Sequence, residues 1–113
     1  MPSVAKLTPS VASEVLKLML TPRGARAALA SAVDEQPYQV SHWLSGYTSP
    51  SPKRRENIED LLGVSWRLWA VYEFTEDDVA RAFTSAKRSK SRGVAKLVEA
   101  HEAAKRAKTG TEG

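Results

Sequence analysis

The stretch QPYQVSHWLSGYTSP, residues 36–50, decides how this sequence is interpreted. Pro37 suits the first position of a helix and Gly46 suits its end, so the stretch predicts a short helix followed by a loop. At about 100° per residue, one side of that helix carries the apolar residues Val40, Trp43 and Leu44. The opposite side carries hydrogen-bonding groups with no formal charge at neutral pH: Tyr38, Ser41, His42 and Ser45. One side can therefore pack on a core while the other faces solvent or a partner.

A second helix is predicted directly before this stretch. The segment RGARAALASAV, residues 23–33, has its larger apolar side chains three to four residues apart. Thr21 followed by Pro22 is a helix start signal, and only a few residues around Asp34 and Glu35 separate the two predicted helices. Short helices joined this closely cross at a steep angle, as in a helix-turn-helix.

The rest of the chain also shows helical spacing, and no segment alternates long enough to predict a strand, so we expect an all-α fold. Ser51 with Pro52 predicts the start of a fourth helix, and Ser65 can cap a fifth. The fifth helix is expected to close the core with large side chains: Trp66, Leu68, Trp69, Val71 and Tyr72.

The character of the sequence changes beyond Phe74. Thr75 and Asp78 have the spacing of a capping box at the start of a further helix. The basic segment KRSKSR, residues 87–92, is either a solvated linker or a disordered cationic arm that follows DNA. We therefore divide the chain into a first domain, residues 1–74, and a helical extension, residues 75–113, with a disordered end from residue 109.

Composition limits the class of protein. The formal net charge is +4 and the pI is about 9.6, which favours an anionic partner. The absence of cysteine excludes disulfides, thiol catalysis and cysteine-ligated zinc. No phosphate-binding loop, HExxH motif or metal-ligand cluster is present, and no apolar run reaches the roughly 20 residues of a membrane span. We expect a soluble cytoplasmic protein that is not an enzyme and has no cofactor, metal, small-molecule ligand or membrane partner.

The uncharged polar side of the third helix has the chemistry needed to read base edges in the major groove of DNA. Basic side chains surround it in the sequence and are candidates for phosphate binding: Arg23, Arg26, Lys53, Arg54 and Arg55. The tryptophans fall on apolar faces, so core packing is the preferred interpretation for Trp43, Trp66 and Trp69.

Residues 25–69 resemble the Cro/repressor-type helix-turn-helix family, also called the XRE or lambda-repressor-like domain. The resemblance lies in LA at 29–30, VSHWLSG at 40–46, the proline-containing loop and IEDLLGVSWRLW at 58–69. It implies a five-helix domain whose third helix enters the major groove. The implied base-reading residues are Gln36, Pro37, Tyr38, Ser41 and His42, with Gln39 at the flank. The implied backbone contacts are Arg26, Tyr47, Thr48, Lys53 and Arg54. The family usually has glycine where this chain has Asp34, and an apolar residue at Glu35.

The expected function is that of a sequence-specific transcriptional regulator, of the phage or mobile-element repressor type, that binds double-stranded DNA as a homodimer. Candidate dimer residues lie on the fifth helix and the extension: Trp66, Trp69, Tyr72, Val79, Phe83, Val94, Leu97 and Val98. Two alternatives stay open. One is a protein-interaction module such as an antitoxin or adaptor, and the other is an architectural nucleic-acid binder without sequence preference.

Overall fold

Six α-helices and one short 3-10 helix make up the regular structure of residues 7–110, the part of the chain that the computed structural model describes, and no strand occurs there. The all-α prediction is confirmed for this part. The helices are α1 Val11–Met19, α2 Ala25–Ala32, α3 Pro37–Ser45, α4 Pro52–Leu62, the 3-10 helix Trp66–Ala70, α5 Glu76–Ser89 and α6 Gly93–Gly110.

Most helix starts follow the local signals in the sequence. Pro37 and Pro52 are the first residues of α3 and α4, and the Ser51 side chain accepts a hydrogen bond from the Arg54 amide at 3.4 Å. The predicted capping box is present, because Thr75 and Asp78 exchange backbone-to-side-chain hydrogen bonds of 2.9 and 3.2 Å. These bonds satisfy amides that have no partner within the first turn of a helix.

Helix α2 starts later than Thr21 and Pro22 predict. Residues 22–25 form a turn instead, in which the Pro22 carbonyl accepts a hydrogen bond from the Ala25 amide at 3.0 Å. Gly24 follows with a φ of +82°, a left-handed conformation that a right-handed helix cannot include. The helix therefore begins only at Ala25.

The predicted fifth helix is a single 3-10 helix, and its large side chains do not all close the core. Trp69 is fully buried, whereas Trp66 and Tyr72 are 45% and 50% exposed. The chain becomes extended at Val71, directly after Ala70, so the element is too short to direct more side chains inward. The core prediction is confirmed for Trp43 and Trp69 and is wrong for Trp66, Val71 and Tyr72.

The hydrophobic core lies around α1, which packs against α3, α5 and the 3-10 helix. The extension contributes to the same core: α5 packs on α1 and supplies Ala86, while α6 packs on α2 and supplies Leu97. The largest fully buried aliphatic side chains are Val15, Leu16, Leu29, Val33, Val40, Leu44, Ile58, Leu62 and Val64. None of the helices within residues 7–110 has the length and apolar character required to cross a membrane.

The basic segment is more ordered than predicted. Its first residues, 87–89, are the last turn of α5, and residues 90–92 form a tight connection to α6. The predicted disordered end is also partly helical, since α6 continues through Thr109 and Gly110. Residues 111–113 lie outside the described residues.

Candidate nucleic-acid interface

Helix α3 has one buried and one open side, as its sequence predicts. Val40, Trp43 and Leu44 are buried against the core. On the other side Tyr38 is 58% exposed, Ser41 is also exposed, and His42 is half-buried. The open side therefore presents hydroxyl and imidazole groups on a helix whose opposite side is fixed by packing.

The C-terminal end of α3 is attached to the N-terminal part of the chain. At its last turn, Ser13 of α1 donates a buried hydrogen bond of 2.7 Å from Oγ to the Trp43 carbonyl. The Thr8 amide donates a bond of 3.1 Å to the Gly46 carbonyl. Gly46 ends the helix with a φ of +83°, and a Cβ there would overlap the backbone of Thr8 and Pro9. These contacts fix the orientation of the open side relative to α1.

The turn between α2 and α3 accommodates its departure from the family pattern. Asp34 has a φ of +58°, the left-handed conformation for which glycine is usually selected. Aspartate is among the few other residues that adopt this conformation at modest cost. The Glu35 amide then donates to the Ala30 carbonyl at 2.8 Å. The turn is therefore closed by hydrogen bonds despite the missing glycine.

Two of the predicted phosphate-binding arginines have partners within the chain. Arg54 Nε lies 3.1 Å from Glu35 Oε1, and its Nη2 lies 3.5 Å from the Asp34 carbonyl. Arg55 Nε donates to the Pro50 carbonyl at 2.9 Å. Both side chains are half-buried, so their first role is to hold the start of α4 to the preceding turn and loop.

The other predicted basic residues are open to solvent. Arg23, Arg26 and Lys53 are exposed, and within residues 7–110 none of them belongs to an ion pair. Arg26 lies in the first turn of α2 and Lys53 in the first turn of α4, and neither turn contains an acidic residue. Each of these helix starts therefore combines the positive end of a helix dipole with an exposed cation.

An aromatic cluster occupies the open side of α3. The rings of Tyr38 and His42 meet edge-on with centroids 5.5 Å apart, and the Tyr47 ring lies 4.9 Å from the His42 ring. Tyr38 and His42 are four residues apart, so the helical repeat predicts that they are neighbours. The position of Tyr47 depends on the tight turn at Gly46, in which the Tyr47 amide donates to the His42 carbonyl at 3.0 Å.

A groove of about 620 Å³ connects the start of α2 with the open side of α3. It brings together the predicted phosphate ligand Arg26 and the predicted base-reading residues Pro37, Tyr38 and Ser41. Three other predicted residues do not line it: Gln36 is the exposed N-cap of α3, Gln39 is half-buried, and Thr48 is exposed in the following loop.

The candidate dimer residues differ in exposure. Trp69 and Leu97 are buried by their own chain and are not available to a second subunit. Trp66 and Tyr72 are open, and Val71 between them is exposed as well. The rest are partly buried against the core: Val79, Phe83, Val94 and Val98.

Within residues 7–110, no group of three or more histidine, aspartate or glutamate side chains is placed to hold a metal ion. Comparisons of the chain with known protein families, with curated proteins and with solved structures found no match.

Proposed function

We propose that this protein is a sequence-specific DNA-binding regulator that places α3 in the major groove of double-stranded DNA. The observation that carries this proposal is the open side of α3, an uncharged polar surface that shares a groove with the exposed cation Arg26. An α-helix with its side chains is about 10–12 Å wide, which matches the major groove width of about 12 Å. Helix α3 therefore has both the size and the surface chemistry of a recognition helix.

The side chains of α3 have distinct expected roles. The hydroxyl of Ser41 and the imidazole of His42 each donate and accept hydrogen bonds, and the amide of Gln36 can form a bidentate contact with adenine. Tyr38 offers an aromatic surface for a thymine methyl group. The contacts of His42 with both tyrosine rings limit its rotation, so the imidazole is oriented before DNA binds.

Phosphate binding is assigned to the starts of α2 and α4. Gly24 caps α2 without a side-chain hydrogen bond, which leaves amides of the first turn open to a phosphate beside Arg26. At the start of α4, Lys53 opposes the positive end of the helix dipole, and a bound phosphate would balance both. Arg54 and Arg55 are expected to act mainly by orienting this turn, because both are already engaged.

The acidic residues beside α3 are the feature of the sequence that opposes this proposal. Asp34 and Glu35 would repel a phosphate, and in the sequence they favour a protein-interaction module instead. The ion pair between Glu35 and Arg54 offsets one of these two charges. The acidic turn therefore has a structural explanation that does not require a protein partner.

Dimer formation completes the proposal, since one recognition helix contacts too few base pairs to select a genomic site. The exposed apolar surface of Trp66, Val71 and Tyr72 is the candidate interface. It is held to α1 by a hydrogen bond of 3.0 Å from the Val11 amide to the Val71 carbonyl. A two-fold dimer would place its α3 helices about 34–36 Å apart, one turn of DNA.

Selection from a randomised duplex library by the full-length protein tests this function. At about 150 mM salt, nonspecific phosphate attraction is already strongly screened. The proposal predicts an enriched motif with two-fold symmetry and a half-site spacing of about one helical turn. Binding at low salt without any enriched sequence would contradict it.

The protein-interaction module is the second candidate, and an apolar groove favours it. This groove, of about 510 Å³, lies between α1, α5 and α6. Its apolar lining includes Leu18, Phe83, Val94 and Val98. If the function depends on this groove, Phe83→Ser should abolish the function and Lys53→Gln should leave it intact. The DNA-binding proposal predicts that Lys53→Gln impairs the function and that Phe83→Ser does not.

A further inference from the structure

We propose that the last turns of α6 form an additional contact with the DNA backbone beside the start of α2. This inference rests on the proposed DNA-binding function and adds a part of the chain that the helix-turn-helix pattern does not include. The residues that would bind phosphate are Lys105 and Arg106.

The path of α6 brings its second half to the candidate interface. The helix begins against the end of α4, where a Cβ on Gly93 would lie 2.7 Å from the Leu61 carbonyl oxygen. It then packs along α2. Further along, a Cβ on Gly24 would lie 4.0 Å from Glu102 Oε1, so Glu102 is beside the N-cap of α2.

Gly24 links α6 to the recognition surface. The same glycine lines the groove that contains Arg26, Tyr38 and Ser41. Glu102 therefore marks the point where α6 reaches the edge of the proposed interface. Residues 103–110 continue α6 beyond this point, and at 1.5 Å per residue they add about 12 Å of helix.

The charge of this helical end suits a phosphate backbone. Three basic residues, Lys105, Arg106 and Lys108, follow Glu102, and the next acidic residue in the sequence is Glu112. The C-terminus of a helix carries partial negative charge and by itself repels phosphate. Basic side chains in the last turns overcome that repulsion and supply the counterion release that strengthens DNA binding.

The basic segment at residues 87–92 is placed differently, although its sequence is the more obvious candidate for a DNA-binding arm. Ser91 and Arg92 lie in a groove with Asp60 and Ala32, at the ends of α4 and α2. Arg92 also forms an ion pair of 2.8 Å with Glu99. Arg92 is therefore near the opposite end of α2 from Gly24, whereas Lys87 and Lys90 line the groove between α1, α5 and α6.

The test compares two double variants with equal loss of charge, Lys105→Gln/Arg106→Gln and Arg81→Gln/Arg88→Gln. Arg81 and Arg88 are exposed in a groove lined only by α5 residues, so they serve as the matched control. Binding to the selected duplex and to an unrelated duplex is measured by fluorescence anisotropy from about 50 to 300 mM salt. Circular dichroism verifies that each variant keeps its helical content.

The α6 variant is expected to lower the slope of log affinity against log salt by about two, and the control by much less. Affinity should fall by the same factor, roughly tenfold at moderate salt, on both duplexes, because phosphate contacts do not read sequence. Equal slopes for the two variants would overturn the inference, and so would tighter binding by the α6 variant, which would show that α6 obstructs DNA.

A single substitution gives a second test with α6 intact. Glu102→Gln removes an acidic group beside the start of α2 and is expected to tighten binding several-fold on both duplexes. Unchanged affinity would place α6 away from the backbone and overturn the inference. The proposed function is tested separately, because wild-type selectivity and the effect of Lys53→Gln do not depend on α6.

Discussion

Gly46 illustrates how one residue determines the position of the candidate site. Its left-handed φ ends α3, and its missing side chain lets the backbone of Thr8 and Pro9 pack directly beside it. The same turn brings Tyr47 onto His42. In the sequence, Gly46 indicates only the end of a helix. In the folded chain it also helps to form the open side of α3.

Substitution by alanine should separate the effect of the left-handed φ from the effect of the missing side chain. Gly24 and Gly46 have almost the same φ, +82° and +83°, but a Cβ at Gly24 meets only Glu102 Oε1 at 4.0 Å. Gly24→Ala is expected to cost roughly 1 kcal/mol from backbone strain alone. Gly46→Ala should cost roughly 3 kcal/mol or more, because backbone atoms of Thr8 and Pro9 must move as well. Urea denaturation measures both, and equal losses would contradict the packing at Gly46.

Glu35 carries a negative charge that would oppose the proposed binding of DNA. Replacing it by glutamine frees Arg54 from its ion pair and removes one negative charge beside α3. We expect Glu35→Gln to tighten binding to all duplexes and to steepen the salt slope by about one. The stability loss should stay within about 1 kcal/mol, as is usual for an ion pair with solvent access. Anisotropy titrations at several salt concentrations measure the slope, and weaker binding would contradict this role.

At the scale of elements, α3 is oriented by α1 through a single buried polar contact. Ser13 Oγ donates to the Trp43 carbonyl at 2.7 Å, and both residues are buried. A serine facing the core would ordinarily be replaced by an apolar residue, so its presence is explained by this carbonyl. Helices α1 and α3 are thereby fixed to each other in direction as well as in distance.

Ser13→Ala should therefore destabilise the protein by roughly 1–3 kcal/mol, because the buried Trp43 carbonyl loses its donor at 2.7 Å and keeps only the Gly46 amide at 3.4 Å. The control Ser41→Ala removes an exposed hydroxyl from α3 and should stay within about 0.5 kcal/mol. Thermal unfolding followed by circular dichroism measures both. Equal changes in the two variants would show that the contact between α1 and α3 is not important for stability.

The helix starts show how much of each element the sequence can predict. Ser51 and Thr75 cap helices through bonds to residues three positions away, so their signals are local and reliable. The signal at Thr21 and Pro22 is also local, but the left-handed conformation of Gly24 shifts the start of α2 to Ala25. Glycine permits that conformation without requiring it, so the sequence alone does not reveal the shift.

The sequence does not predict which tryptophan of the 3-10 helix is buried. Trp66 and Trp69 both belong to an apolar pattern, yet only Trp69 is buried. Which one enters the core depends on where the chain leaves the short helix, and that is decided by contacts with α1 and α4.

Likewise, Arg54 and Arg55 look like phosphate ligands in the sequence, and their partners Glu35 and Pro50 become apparent only in the folded chain.

At the scale of the whole molecule, the extension is part of one packed unit. Ala86 of α5 and Leu97 of α6 enter the core formed by the first four helices, so both helices of the extension are anchored. This leaves the surface of Trp66, Val71 and Tyr72 as an exposed apolar patch beside the 3-10 helix. Patches of this kind often mark protein interfaces.

The patch predicts how the protein associates. Trp66→Ser/Tyr72→Ser is expected to convert a dimer into a monomer, because both aromatic side chains would lose buried contacts. Leu18→Ser is the control, since Leu18 is equally exposed, at 50%, on a different surface. Sedimentation equilibrium measures the mass of each variant. A wild-type protein that stays monomeric both free and on DNA would contradict the dimer.

In the proposed function, the open side of α3 reads base edges. The most direct test is parallel selection from one randomised duplex library by the wild-type protein and by Ser41→Ala, whose truncated side chain is exposed and does not contribute to the core. We expect the same symmetric motif and spacing for both, with preference lost at one position of each half-site and roughly 1–3 kcal/mol lost on the wild-type site. Identical preferences at every position for the two proteins would contradict base reading by this surface of α3.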